Sequence, residues 1–251
     1  MSTHLSPGTA ALLFLTPART PMQNETESGP RPDRMVPTPG GAIATWREGE
    51  GPVVLMVHGW SAQHADLAAF VTPLVGAGYQ VVSIDLPAHG QSEGELASVP
   101  DMARALQAVA AAIGPIHGVI AHSVGCAATA LALKKGMQAL RVVLVAPPAR
   151  YAHFVRAFSQ RAGIEPESLL SALRLRDIDV DSVDLPLMAP NLHARALVIH
   201  SKDDQVVPFA NGQKIAAAWP GARPLECEAL GHKRILSDPA VVAAAVSFFT
   251  N

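Results

Sequence analysis

Ser123 stands in a sequence pattern that suits a serine nucleophile. The five residues at 121–125, Ala-His-Ser-Val-Gly, follow the apolar run Ile116–Ala121 and open a helical stretch. This is the small-x-Ser-x-small form of a nucleophile elbow. A strand that turns sharply into a helix strains the serine backbone, so a large side chain two positions away would clash across the turn. Because unpaired N–H groups at a helix start favour developing negative charge, we predict Ser123 as the nucleophile.

His232 is the best placed of ten histidines to act as the base that a serine hydroxyl needs. It follows Gly231 and the short strand-like run Leu225–Leu230, and it precedes the capped final helix Pro239–Phe249. A Gly-His pair alone is typical of a surface loop. Together with Ser123, however, it favours a catalytic role, since glycine lets the loop come close to the sheet edge.

The imidazole of such a base needs a carboxylate that fixes its tautomer and stabilises the imidazolium. Asp203 and Asp204 both follow the apolar run Ala196–His200, and either carboxylate is a candidate. We predict Asp204, because it lies at the turn just before Val206–Pro208, where the chain packs back onto the body. Asp203 has the character of a solvated acidic turn.

The residues after the first apolar run are candidates for an oxyanion hole. His58, Gly59 and Trp60 directly follow Val53–Val57. We predict that the backbone N–H groups of Trp60 and Val124 would stabilise a developing oxyanion. Gly59 allows the loop to approach closely, and His58 is expected to brace the loop rather than act on substrate.

Short apolar runs alternate with Ala-rich segments of helical length from residue 40 onward. The runs are nearly continuous in apolar residues, which is typical of strands buried on both faces of a parallel sheet. Strands that alternate with helices predict an α/β fold with helices on both faces of the sheet. The strand candidates are Val53–Val57, Val81–Ile84, Ile116–Ala121, Val142–Val145 and Ala196–His200, and the helix candidates among them are Ala65–Gly76, Asp101–Ile113, Ser123–Lys135 and Asn211–Trp219.

Two segments fall outside this alternation. Residues 1–39 are predicted as an N-terminal arm, largely irregular from 16 to 40, with a short helix over Thr9–Leu15 packed on the body. The main domain is predicted over 40–251, and Gly40–Trp46 is a candidate for an added hairpin.

An insertion at about 149–190 interrupts the main domain. It contains two helix candidates, Tyr151–Ala162 and Pro166–Leu175, and an acidic stretch, Asp177–Asp184, that we expect to be exposed. We predict that this segment lies over the carboxyl edge of the sheet, where ligands bind in open α/β folds.

The chain resembles the α/β-hydrolase superfamily over roughly residues 40–250. Besides the elbow, Asp85–Ser92 resembles the family's D-x-P-G-H-G-x-S segment, with Ala88 where glycine is usual. The resemblance implies an eight-stranded, mostly parallel sheet, a small cap at about 149–190, the chain order Ser…Asp…His, and no catalytic role for His89. A serine at position 123 argues against the haloalkane dehalogenase and epoxide hydrolase branches, which have an aspartate nucleophile.

Composition excludes several other classes of protein. Nineteen basic against twenty-one acidic residues give a net charge near zero, which provides no electrostatic footprint for nucleic acid, and 49% hydrophobic residues with 16% charged ones exclude a disordered chain. We find no apolar stretch long enough to span a membrane and no signal peptide, and therefore expect a cytoplasmic protein. We also expect no metal, cofactor or disulfide, because Cys126 and Cys227 are isolated and no Cys/His cluster or phosphate-binding loop occurs.

These features together predict a serine hydrolase that cleaves a small-molecule carboxylic ester of short-to-medium acyl chain through an acyl-enzyme intermediate. Four aromatic residues either line an apolar acyl pocket under the cap or pack the cap on the body: Trp60, Tyr151, Phe154 and Phe158. Thioesterases, aminopeptidases or amidases, perhydrolases and carbon–carbon bond hydrolases need the same nucleophile and base. A ligand-binding module with vestigial hydrolysis is the alternative from another class.

Overall fold

An eight-stranded sheet forms the centre of the molecule. The computed structural model describes residues 5–19 and 30–251. The strands are ordered β1-β2-β4-β3-β5-β6-β7-β8; β1–β2 and β2–β4 pair antiparallel, and all later pairs are parallel. The predicted mostly parallel, eight-stranded α/β sheet is thereby confirmed. Its strands are β1 Arg34–Val36, β2 Ile43–Glu48, β3 Val53–Val57, β4 Gln80–Ile84, β5 Ile116–His122, β6 Arg141–Val145, β7 Arg195–Ser201 and β8 Arg223–Cys227.

Helices cover both faces of this sheet. The α-helices of the described chain are α1 Pro7–Leu15, α2 Val71–Gly76, α3 Val99–Ile113, α4 Val124–Lys134, α5 Tyr151–Ala162, α6 Pro166–Arg174, α7 Leu185–Met188, α8 Ala210–Ala218 and α9 Pro239–Thr250. Short 3₁₀ helices occur at His64–Phe70, Ala189–Asn191 and Arg234–Leu236.

The central strand β3 shows why its apolar residues are continuous. All five of its side chains are buried. Val53, Leu55 and Val57 join a core that contains residues of α3 and α4, whereas Val54 and Met56 join a second core with residues of α2 and α9. Because successive side chains of a strand point to opposite faces, a strand covered on both sides needs apolar residues at every position.

The N-terminal part of the sheet departs from the sequence-based expectation. β1 lies within the stretch expected to be irregular. It pairs with β2, where Arg34 lies opposite Thr45 and Val36 lies opposite Ile43. The sheet therefore starts within the segment assigned above to the arm. A three-residue edge strand with only Val36 buried has no periodicity that a sequence can reveal. Residues 1–4 and 20–29 of the predicted arm lie outside the described residues.

The helices between β6 and β7 agree with the predicted segments, but the acidic stretch does not. Asp184 is only 7% exposed, not solvated as expected. Its side chain accepts a hydrogen bond from the Leu187 amide at the start of α7 and pairs with Arg150 at 2.6 Å. These partners compensate the burial of its charge. We propose that residues 149–190, which contain α5, α6 and α7, form a small cap.

Candidate active site

Ser123 lies at the junction between β5 and α4. Its φ of 51° places a non-glycine residue in the left-handed region, which costs on the order of 1–3 kcal/mol. The backbone N–H of Ser123 donates to the carbonyl of Val145 at 2.9 Å, which ties the turn to β6. A Cβ atom at Gly125 would lie 2.4 Å from the His58 carbonyl oxygen. The turn therefore requires glycine two residues after Ser123, which accounts for the small-x-Ser-x-small pattern.

His232 lies between Ser123 and Asp204. Its Nε2 atom is 3.1 Å from Ser123 Oγ, and its Nδ1 atom is 2.7 Å from Asp204 Oδ2. The Gly231 amide donates to Asp203 Oδ1 at 3.0 Å, which holds the loop near the end of β7. The three predicted side chains thus meet at the carboxyl edge of the sheet, although they lie in three separate parts of the sequence.

The carboxylate of Asp204 has three hydrogen-bond donors and a fourth polar neighbour. Oδ1 accepts from the amides of Val206 and Val207 at 2.8 and 2.9 Å, and Oδ2 accepts from His232 Nδ1 at 2.7 Å and lies 3.3 Å from His200 Nε2. Burial disfavours the charged form, but hydrogen bonds from His200, His232 and the two amides outweigh it and hold the pKa of Asp204 well below its usual range. Asp204 is therefore ionised at neutral pH.

Asp203 has a different environment from its neighbour. Its side chain is 42% exposed, and its Oδ1 atom accepts hydrogen bonds from the Ser201 hydroxyl and the Gly231 amide. These contacts, of which the one from Ser201 is the largest contribution, lower the pKa of Asp203. The side chain supports the loop that carries His232, while Asp204 contacts the imidazole itself.

Two buried histidines that the sequence analysis did not select contact this group. His200, at the end of β7, contacts Asp204 and also lies 2.9 Å from the Val207 carbonyl through Nε2. His122 Nε2 lies 3.0 Å from the His232 carbonyl oxygen. Burial, together with the nearby His232, lowers the pKa of His122 to about 3, so the ring is neutral at pH 7 and donates through Nε2–H. Their place at strand ends was visible in the sequence, but their partners were not.

The loop after β3 passes close to Ser123. Val57 pairs with Ala121 across β3 and β5, so both chains leave the sheet side by side. A Cβ atom at Gly59 would lie 3.2 Å from that of Ser123, which shows how near the loop comes. The amides of Trp60 and Val124 have no acceptor among residues 5–19 and 30–251, and both residues line the same cavity as Ser123.

His58 holds this loop in place. The Leu86 amide donates to His58 Nε2 at 2.9 Å, so the proton is on Nδ1, which donates to the Gly59 carbonyl at 2.7 Å. Complete burial, together with His89, lowers the pKa of His58 to about 3. The ring is therefore a neutral brace, as its position in the sequence suggested.

A cavity of about 820 Å³ opens beside Ser123 and His232. Pockets for drug-sized ligands range over about 300–1,000 Å³, so this one has room for a sizeable organic substrate. The four aromatic residues predicted for an acyl pocket, Trp60, Tyr151, Phe154 and Phe158, all contribute to its lining. Two further apolar side chains come from α1, namely Leu13 and Phe14, for which the sequence indicated only a helix packed on the body.

Other chemistry receives no support in the part of the chain that the structure describes. No group of three or more His, Cys, Asp or Glu side chains there is arranged to hold a metal ion. Within the same residues, no helix is long and apolar enough to cross a membrane. Burial raises the pKa of the Cys126 thiol well above its ordinary value, which leaves it unreactive.

Comparison with known proteins gives a consistent result. Residues 54–245 match the family model described as the alpha/beta hydrolase family. A search of curated protein sequences finds no match.

Solved structures of the same fold include three bacterial hydrolases. An esterase from Exiguobacterium antarcticum superposes with a TM-score of 0.68 at 17% identity, covering 86% of this chain and 98% of that one. The enol-lactonase from Burkholderia xenovorans LB400 superposes with a TM-score of 0.69 at 18% sequence identity, covering 87% of this chain and 100% of that one. The meta-cleavage product hydrolase from Pseudomonas fluorescens IP01 superposes with a TM-score of 0.68 at 18% sequence identity, covering 86% of this chain and 97% of that one.

Proposed function

The chain belongs to the α/β-hydrolase family, and we propose that it is a serine hydrolase that cleaves a carboxylic ester of short-to-medium acyl chain. The observation that carries this proposal is the double contact of His232, with Nε2 at 3.1 Å from Ser123 Oγ and Nδ1 at 2.7 Å from Asp204 Oδ2. An imidazole in this arrangement can take the hydroxyl proton while the carboxylate stabilises the resulting imidazolium.

The reaction begins when Ser123 Oγ attacks the ester carbonyl carbon. The hydroxyl proton moves to His232 Nε2, and the carbonyl electrons move onto oxygen to give a tetrahedral intermediate. As the intermediate collapses, His232 returns the proton to the departing alcohol and the acyl group stays on Ser123. A water molecule, deprotonated by His232, then attacks the acyl-enzyme and releases the carboxylic acid and free Ser123.

The negative oxygen of the intermediate needs donors that are already in place. The amides of Trp60 and Val124 serve as these donors, since both lie on the cavity wall beside Ser123 and have no acceptor within the described parts of the chain. Loss of one such donor costs about 3 kcal/mol of transition-state stabilisation in a serine protease. The tight approach of Gly59 and the brace at His58 support this geometry.

The lining of the cavity supports a substrate with an apolar acyl group. Its wall contains Trp60, Phe154 and Phe158, and the charged side chains that line it are solvent-exposed. An acyl chain would therefore leave water for an apolar wall, at about 0.8 kcal/mol for each buried CH₂ group. Thioesters, amides, peracids and carbon–carbon bonds are alternatives for the same nucleophile and base, and no contact in the site favours one of them over the ester.

The proposal is tested with p-nitrophenyl esters of graded acyl length and with a fluorophosphonate probe. We expect turnover of short and medium esters and labelling of Ser123, located by peptide mass spectrometry. Thioester and amide panels run beside the esters decide among the alternatives. Probe labelling without turnover of any substrate would instead indicate a binding module, and absence of both would refute the proposal.

A further inference from the structure

One wall of the active-site cavity comes from a helix outside the part of the chain that matches the family. Leu13 and Phe14 line the cavity that contains Ser123 and His232. Both belong to α1, whereas the family match covers residues 54–245. The body of the fold supplies the reacting groups, and an added segment supplies part of the surface that a substrate would meet.

Local sequence explains why α1 forms although it has only nine residues. The Ser6 side chain accepts a hydrogen bond from the Thr9 amide, and Pro7 occupies the first turn, where no intrahelical donor is lost. Ala10, Ala11 and Leu15 are buried, and α1 contacts α6 and α5. The two alanines allow close approach of the helices, so packing rather than intrinsic propensity stabilises α1.

The end of α1 and the residues after it are attached to distant parts of the chain. The Ala97 amide donates to the Leu15 carbonyl at 2.8 Å, and the Ala18 amide donates to Ser61 Oγ at 3.0 Å. Ser61 follows Trp60, whose amide is the proposed donor to the oxyanion, so the chain after α1 contacts the loop after β3 directly.

Arg19 completes the attachment. Its guanidinium donates to three backbone carbonyls of the loop after β4, those of Ala88 and Ser92 at 3.0 Å and that of Gly94 at 2.7 Å. Residues 5–19, which we call the N-terminal segment, are therefore held both at the cap and at the loops that follow β3 and β4.

Phe14 is the residue through which this segment shapes the cavity. Its ring centroid lies 5.4 Å from that of Phe158 in an edge-on contact and 5.8 Å from that of Tyr151. All three rings line the cavity. Aromatic rings attract one another at these centroid distances, so the contacts favour this position of the Phe14 ring.

We propose that the N-terminal segment is a specificity element and that Phe14 limits the length and bulk of the acyl group that the cavity accepts. This inference rests on the proposed serine hydrolase function and adds the group that selects its substrate. Removing the Phe14 ring opens space beside the Tyr151 and Phe158 rings, which longer acyl chains can fill. A larger ring at the same position reduces that space.

The experiment compares Phe14→Ala, Phe14→Leu and Phe14→Trp in the full chain with Leu12→Ala as the matched control. Leu12 lies on the same helix, is 41% exposed and does not contribute to the cavity lining. We measure kcat/KM for p-nitrophenyl butyrate, octanoate and dodecanoate. Because one methylene in an apolar pocket changes selectivity by about 10-fold or more, we expect the dodecanoate-to-butyrate ratio to rise about 10-fold in Phe14→Ala and to fall in Phe14→Trp. Leu12→Ala should keep the wild-type ratio.

Binding measurements separate this inference from the proposed function. We measure by calorimetry the affinities of butyrate, octanoate and dodecanoate, the acids that these esters would release, for the wild type and the Phe14 variants. The same shift in ranking is expected there without any turnover. An unchanged ranking in both assays overturns the role of Phe14, whereas an inactive wild type with a shifted binding ranking overturns only the ester hydrolase proposal. Should Phe14→Ala fail to fold by circular dichroism, the Leu and Trp variants decide the outcome.

Discussion

His200 Nε2 lies 3.3 Å from Asp204 Oδ2, the same oxygen atom that accepts a hydrogen bond from His232 Nδ1. This carboxylate oxygen therefore has two histidine neighbours, one that contacts Ser123 and one that is 2% exposed and does not line the cavity. This arrangement makes His200 a positioning residue for the proposed reaction.

We expect His200→Phe to lower kcat/KM for esters by about 10-fold, because it removes both a polar neighbour of the Asp204 carboxylate and the hydrogen bond to the Val207 carbonyl. Without this neighbour, the Asp204 carboxylate interacts more strongly with the imidazolium of His232. The pH at which kcat/KM falls on the acid side should therefore move upward. His193→Phe, which changes an exposed histidine, is the control. A lower rate with an unshifted pH profile would assign His200 a purely structural role.

Replacement of the proposed nucleophile provides the most direct test of the mechanism. Ser123→Ala should abolish fluorophosphonate labelling and lower kcat by roughly 10⁴- to 10⁶-fold, as in serine hydrolases in which the reacting group is removed. Ser182→Ala, at an exposed position, should behave as the wild type in both assays. Undiminished hydrolysis by Ser123→Ala would rule out the acyl-enzyme mechanism.

The two neighbouring aspartates should respond very differently to the same substitution. Asp204→Asn removes the anion that contacts His232 Nδ1 at 2.7 Å, and we expect kcat to fall by about 10³- to 10⁴-fold. Asp203→Asn changes a carboxylate that contacts the Ser201 hydroxyl and the Gly231 amide, so the loss should stay within about 10-fold. Steady-state kinetics of both variants on one ester give the ranking, and the reverse order would assign the role to Asp203.

Stability should fall with acidity because of His122 and His58. Burial lowers the pKa of each to about 3 in the folded state, from 6.5 as the ordinary value. Between these values the unfolded chain binds more protons, so the contribution of each histidine is complete above pH 6.5 and is lost as pH falls toward 3. From pH 7 to pH 5 each histidine removes about 2 kcal/mol of unfolding free energy.

The variant His122→Gln tests this stability prediction. Glutamine does not titrate, and its amide can still donate to the His232 carbonyl, so the decline in unfolding free energy between pH 7 and pH 5 should shrink by about 2 kcal/mol. Urea denaturation at several pH values measures it. Exposed His193 again offers the control, since His193→Gln should leave the pH dependence as it is in the wild type. An equal decline in His122→Gln and wild type would contradict the assignment.

Much of the site could be predicted because its chemistry-bearing residues follow apolar strands directly. Ser123 follows β5, Asp204 follows β7, and the parallel arrangement brings the carboxyl ends of these strands to one edge. Helix boundaries such as Tyr151–Ala162 could also be predicted, because the helical periodicity and the glycine at its end were both in the sequence.

The remaining contacts depend on residues that are distant in sequence. The hydrogen bond from His122 to the His232 carbonyl joins positions 110 residues apart, and no local pattern encodes it. Likewise, the apolar sequence of α1 indicated burial but not that Phe14 would contact Phe158. β8 ends at Cys227, three residues before Leu230, where the predicted strand-like run ended. This half-exposed edge strand lacks a continuous apolar run that would mark its end.

Left-handed backbone conformations at non-glycine residues are concentrated where strands end, after β3, β4, β5, β6 and β8. The residues concerned are Ser61, Ala88, Ser123, Ala146 and Ala229. Ala88 has φ of 64°, in the segment Asp85–Ser92 noted above for its resemblance to the D-x-P-G-H-G-x-S pattern. Ala88→Gly would relieve that conformation by about 1 kcal/mol, but it would also remove a methyl group that is only 1% exposed in the core, which costs about 0.8 kcal/mol. The methyl group of Ala88 therefore offsets the cost of its own backbone conformation, so this tight turn can keep an alanine with little net loss of stability.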